Sequence, residues 1–161
     1  MRLQVLSLLL VATLFTACTS RNVMKLNDAI IKANDELRIA SQSFNIQFQA
    51  VKDNNYTGLE AGRKKMVDLI DEKVKEISSL KADMPGGEDF KNAFIDYYKF
   101  EKDIYDTDYK EICLLTGNGD VGKITEIAEK MQGKAEREDA MEKNIHQEQV
   151  KFAQKNNLKL K

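Results

Sequence analysis

Apolar residues recur every three or four positions along most of this chain. Val23, Leu26, Ile30, Ala33, Leu37, Ala40, Phe44, Phe48 and Val51 form one unbroken stripe, which predicts an amphipathic helix over residues 23–51. Asp53-Asn54-Asn55-Tyr56-Thr57-Gly58 predicts a turn, since its short polar side chains favour non-helical backbone. Thr57 then reads as the N-cap of a second helix, with Glu60 three residues later completing a capping box. That helix is expected over 58–83, facing inward with Leu59, Met66, Ile70, Val74, Ile77 and Leu80. Met84-Pro85-Gly86-Gly87 cannot continue it. A third helix is expected over 88–116, its early acids suiting a helix N-terminus. Gly117-Asn118-Gly119-Asp120 breaks the pattern, with Asp120 as the N-cap of a fourth helix over 121–156.

Four amphipathic helices joined by short connections predict an all-α fold, an antiparallel up-down-up-down four-helix bundle. The single proline, the absence of tryptophan and a charged fraction of 32% agree with it. This topology would bring the start of the first helix and the end of the fourth to one pole.

The first residues have a different character. Arg2 precedes a run from Leu3 to Phe15 that is almost wholly apolar, and small residues follow. This is the three-part pattern of a secretory signal, too short to span a bilayer, which takes roughly 20 apolar residues. Leu14-Phe15-Thr16-Ala17-Cys18 resembles the lipobox of bacterial lipoproteins, with Phe15 standing where an aliphatic residue is usual. The resemblance implies cleavage after Ala17 and lipid on the Cys18 sulfur. The chain then divides into a signal peptide (1–17), a lipid-anchor tether (18–22), the helical bundle (23–156) and a basic tail (157–161). Loss of Arg2 with the leader takes the net charge from −1 to −2, which argues against a nucleic-acid partner. Lipidation of Cys18 would leave Cys113 without a disulfide partner in the chain, so Cys113 reads as a small packing residue. Arg21, Lys25, Lys155, Lys159 and Lys161 would gather near the membrane, where each basic residue can contribute about 1 kcal/mol against an anionic surface.

Polar residues interrupt the apolar faces when each helix is drawn at an even pitch. Glu101 and Asp108 lie near the centre of the face that carries Phe90, Phe94, Tyr97, Ile104, Tyr105 and Ile112. Arg63 falls on the inward stripe of the second helix. If the second and third helices fold back about residue 86, Asp108 lies level with Arg63. A buried Arg63–Asp108 ion pair, shared with Glu101, is the expectation, because an unpartnered buried charge is costly. In the fourth helix Glu138, Glu142 and His146 interrupt a stripe of Ile124, Ala128, Met131, Ala135 and Ile145. Glu142 and His146, four apart, are a weak alternative as metal ligands. Folding back about residue 118 would set them level with Phe94 and Phe90, away from Glu101 and Asp108. Phe100 lies off the core face and, with Tyr98 and Tyr109, is the candidate contact surface. No enzyme constellation is present and no cofactor is implied.

Two segments carry a wider likeness. Phe90-Lys91-Asn92-Ala93-Phe94 through Tyr97-Tyr98-Lys99-Phe100 to Asp108-Tyr109-Lys110-Glu111-Ile112, and Phe152-Ala153-Gln154-Lys155-Asn156-Asn157-Leu158, resemble a family of small surface lipoproteins of spirochaetes and Bacteroidota. The resemblance implies a bacterial cell-envelope location and no particular activity. The expected role is a lipid-anchored interaction or structural module with an envelope protein as partner. A bundle binding a small ligand or metal through its polar core is the alternative.

Overall fold

The computed structural model describes residues 21–53, 55–115 and 121–158. The leader, Cys18, Lys159, Lys161 and the Gly117–Asp120 break with its expected cap lie outside them. Among the described residues the chain is helical apart from the turns between its helices, with no strand. No described helix is long and apolar enough to cross a membrane.

Helix α1 spans Arg21–Ala50, thirty residues and so about 45 Å. It buries Val23, Leu26, Ile30, Ala33, Leu37, Phe44 and Phe48, the stripe read from the sequence. It ends in a 3-10 turn, Val51–Asp53. The Thr57 amide then donates to Asn55 Oδ1 at 3.0 Å, closing a side-chain turn. The residue before α2 is Gly58, at φ +79°, and no side chain caps the helix. Thr57 is therefore not the N-cap, and the capping box does not form. Only a glycine adopts this left-handed backbone freely, and Glu60 is bound instead by Arg63.

Helix α2 spans Leu59–Ser78, ending short of the expected residue 83. The Ser79 hydroxyl donates to the Glu76 carbonyl at 2.7 Å, satisfying a group the helix leaves open. The chain turns at Gly86, φ +74°, with the Gly87 amide donating to the Met84 carbonyl at 2.9 Å.

The third rod is not one even helix. It comprises α3 (Gly87–Ile104), a π-turn (Tyr105–Tyr109) and α4 (Lys110–Leu114). A π-turn adds a residue to its turn, so side chains beyond it are rotated by roughly 100° from an α-helical wheel. Helix α5 spans Val121–Lys155.

Side-chain pairs fix how the rods meet. Glu36 of α1 meets Lys73 of α2 at 2.5 Å, while Gln47 lies against Gly58 and Gly62. Asp71 of α2 meets Lys102 of α3 at 2.8 Å. Phe90 of α3 stacks on Phe152 of α5, centroids 4.5 Å apart and planes within 11°, with both rings fully buried. Asn156 Nδ2 donates to the Pro85 carbonyl at 2.9 Å. At the other end of α3, Phe44, Phe48, Tyr105 and Tyr109 interlock, with centroids 4.8–5.2 Å apart for the Phe–Tyr pairs. Each such ring pair adds about 0.5–1.5 kcal/mol beyond its buried area.

Candidate functional site

Of the polar residues that the sequence places on the core faces, Arg63, Glu101 and Asp108 are buried, each exposing less than a tenth of its surface, whereas Glu138 and Glu142 are half-buried. They do not form one cluster. Arg63 Nε and Nη2 donate to the two oxygens of Glu60 at 2.7 and 2.9 Å. Its Nη1 donates to Asp106 Oδ1 at 3.1 Å and to the Tyr105 carbonyl at 3.3 Å. Asp108 accepts instead from Lys134 of α5, at 2.6 Å. The expected Arg63–Asp108 pair is thus replaced by two pairs on opposite sides of the third rod. The level along the rod was right and the rotation was not, because the π-turn lies between Ile104 and Lys110 and rotates Asp108 away from α2.

The electrostatics follow the contacts. The Arg63 hydrogen bonds hold the Glu60 carboxyl down to about 2, from an ordinary 4.5. Burial, with Glu60 alongside, pushes the Cys113 thiol up to about 12. Cys113 is buried and holds its proton tightly, and so is a poor nucleophile. Burial also works against the charge on Lys73, but its hydrogen bonds to Glu36, Glu72 and Glu76 outweigh it and raise its affinity for a proton.

Glu101 has no such partner. Its Oε1 is buried and finds no hydrogen-bond partner among the described residues, and the same holds for the Tyr97 hydroxyl beside it. The hydroxyl lies near enough to favour the carboxylate slightly, yet short of a full hydrogen bond. Burial, then the charges of Glu138 and Glu142, raise the Glu101 proton affinity well above the usual carboxylate range. Burial raises Glu138 and Glu142 as well. On its inner side Glu101 borders a cavity of about 20 Å³ lined by Leu37, Ser41, Met66, Ile70, Tyr97, Tyr98 and Tyr105. That volume suits a single water molecule.

Helix α5 meets α3 in a different register from the one expected. Phe90 faces Phe152 and Asp108 faces Lys134, so Glu101 lies level with Met141, between Glu138 and Glu142. Glu142 is therefore beside Glu101 rather than near Phe94. The aromatic stack and the Lys134 ion pair, rather than the midpoint of the connection, set this register. His146 is exposed, as is Ala135, so neither sits on the inward stripe. Among the described residues no group of three His, Cys, Asp or Glu side chains is placed to hold a metal ion.

The expected contact surface is also corrected. Tyr98, Phe100 and Tyr109 are all buried, at 1%, 5% and 5% exposure. Tyr98 donates its hydroxyl to Asn34 Oδ1, and Tyr109 sits among Phe44, Phe48 and Tyr105. Phe100 lies under the Arg137 guanidinium, 5.0 Å from the ring centroid. An apolar ring on the flank of a helix is readily covered by a long basic side chain from the next one.

Some polar core residues escaped the sequence reading. Asn27, Asn34 and Ser41 of α1 are buried, seven residues apart, on the edge of the apolar stripe. Seven-residue spacing of small polar residues was the available signal. Asp106 carried none, since an even-pitch wheel places it outward. Compared with protein-family models, curated proteins and solved structures, the chain matches none.

Proposed function

We propose that this protein is a bacterial cell-envelope lipoprotein, held to a membrane by lipid on Cys18 and acting as a non-enzymatic interaction or structural module. One observation carries the reading: the apolar run from Leu3 to Phe15 ends on Ala17-Cys18, and the chain is already helical at Arg21. Two or three acyl chains would anchor it stably, at about 0.8 kcal/mol per buried CH₂. The four rods form an up-down-up-down antiparallel bundle on this reading. In support, Asn22 and Lys25 share a cleft with Ser79, Leu80 and Lys81, and the turn at Gly86 lies against Lys155 and Phe152. The lipidated end and the basic C-terminal end then share the membrane-facing pole. Phe100, Tyr98 and Tyr109 are enclosed, so an envelope partner would be met by other residues.

The reading is tested by metabolic labelling with a palmitate analogue and membrane fractionation. The wild-type chain should carry the label and sediment with membranes, and Cys18→Ser should lose both. Label retained by Cys18→Ser would exclude Cys18 as the anchor. The second reading, a bundle that takes a small polar ligand, draws on the unpartnered Glu101 and Tyr97 oxygens. Native mass spectrometry would show a co-purifying mass under that reading and an empty chain under the first.

A further inference from the structure

We propose that Glu101 is a proton-binding site whose occupancy holds α5 closed over α3. The geometry rests on three features of this seam. Glu101 is 5% exposed and its Oε1 has no donor among the described residues, whereas Asp108, the other buried carboxylate among them, is matched with Lys134. A neutral carboxylic acid can rest in such a place, and a carboxylate cannot without rearrangement.

Among the described residues the groups facing Glu101 supply no compensating charge. Helix α5 presents Glu138 and Glu142. The nearby cations of α5 are engaged elsewhere: Lys134 with Asp108 and Asp103, and Arg137 over Phe100. Helix α3 adds the Tyr97 hydroxyl, and the π-turn adds Tyr105. Helices α1 and α2 line the cavity behind it with Leu37, Ser41, Met66 and Ile70, none ionisable.

The third feature is where α5 is fastened. Among the described side chains of α5, Ile127, Ala128, Ile145, Gln149, Phe152 and Ala153 are buried, and between Ala128 and Ile145 none is fully buried. The helix thus has fully buried side chains only toward its two ends; over Glu101 it is held by less buried ones, Met131 and Met141 against the core, Lys134 on Asp108 and Arg137 over Phe100. Loss of the proton from Glu101 leaves a third carboxylate in a seam that already holds two. Separation of the middle of α5 lets water reach all three. Proton uptake closes the seam again.

The sign is that of a carboxyl with raised proton affinity. The closed form binds the proton more tightly than the open one. Its advantage is complete below the ordinary carboxylate range, and it is lost progressively as pH rises toward the raised value.

Hydrogen exchange of the intact protein between about pH 5 and about pH 9, read by mass spectrometry and corrected for intrinsic chemistry, tests this. Protection of residues 129–144 should fall with rising pH, by up to about tenfold per pH unit while Glu101 is protonated only in the closed form. Residues 59–78 serve as the internal reference and should not follow. Glu101→Gln, neutral at every pH, should keep 129–144 protected to higher pH and leave only the shallower slope of Glu138 and Glu142. A wild-type profile that is flat, or a Glu101→Gln profile with the wild-type slope, would overturn the proposal. Should Glu101→Gln not fold, carboxyl-carbon NMR of the wild type decides. A Glu101 resonance titrating above the ordinary carboxylate range supports the site, and one titrating within it ends the idea.

Discussion

A guanidinium that is nearly out of solvent must find its partners close by, and Arg63 finds them in Glu60, Asp106 and a backbone carbonyl. Its carboxylate partners are half-exposed, so its removal would not strand a buried charge on them. Arg63→Ala is therefore expected to destabilise by about 2 kcal/mol, below the range for breaking a fully buried pair. Urea denaturation measures it. The same contacts predict an acid limb. Glu60 is held down in the fold, so its contribution is present above the ordinary carboxylate value and fades as pH falls toward about 2. Glu60→Gln should lower stability at neutral pH, cost little near pH 2, and so flatten stability against pH in that window. Glu101 acts with the opposite sign, so the two limbs are separable. Phe90 and Phe152 are the packing counterpart: Phe152→Ala should cost about 3–5 kcal/mol, since the stacked ring has no exposed surface to fall back on.

At the scale of elements, the π-turn explains most of what an even-pitch reading misses. A double-mutant cycle separates the two pairings. Arg63 and Asp106 should couple by about 0.5 kcal/mol or more, whereas Arg63 and Asp108 should be additive within about 0.3–0.5 kcal/mol. Coupling of Arg63 to Asp108 alone would mean that Tyr105–Tyr109 winds as ordinary α-helix. The inward stripes of α1 and α2 were legible because their three-four spacing runs unbroken from Val23 to Phe48 and, from Leu59 to Ile77, is interrupted only by Arg63. The burial of Arg63, Glu101 and Asp108 was legible for the same reason. Their partners were not, because partner choice depends on rotation about the rod, and five residues of π-turn leave no periodic mark. Phe100 was misread as surface because the wheel cannot show Arg137 reaching over from α5. The turn at Gly86 makes a further test: φ +74° disfavours a side chain there, so Gly86→Ala should destabilise by about 1–2 kcal/mol. The nearby Lys155 side chain is flexible enough to move aside.

For the whole molecule, the helical domain and the proposed anchor make different demands on the sequence. The domain needs only apolar stripes and a few well-partnered polar groups. The anchor depends on one residue, Cys18, at the end of a short apolar run, and Cys113 takes no part in it, being buried beside Glu60. The central claim is that lipid on Cys18 holds the domain at an envelope membrane. The intact mass of the protein extracted from bacterial membranes tests it most directly. The expected species is a chain that begins at Cys18 and carries two or three fatty acyl groups on that residue. A chain that begins at Met1, or one that begins at Cys18 without acyl groups, would contradict it.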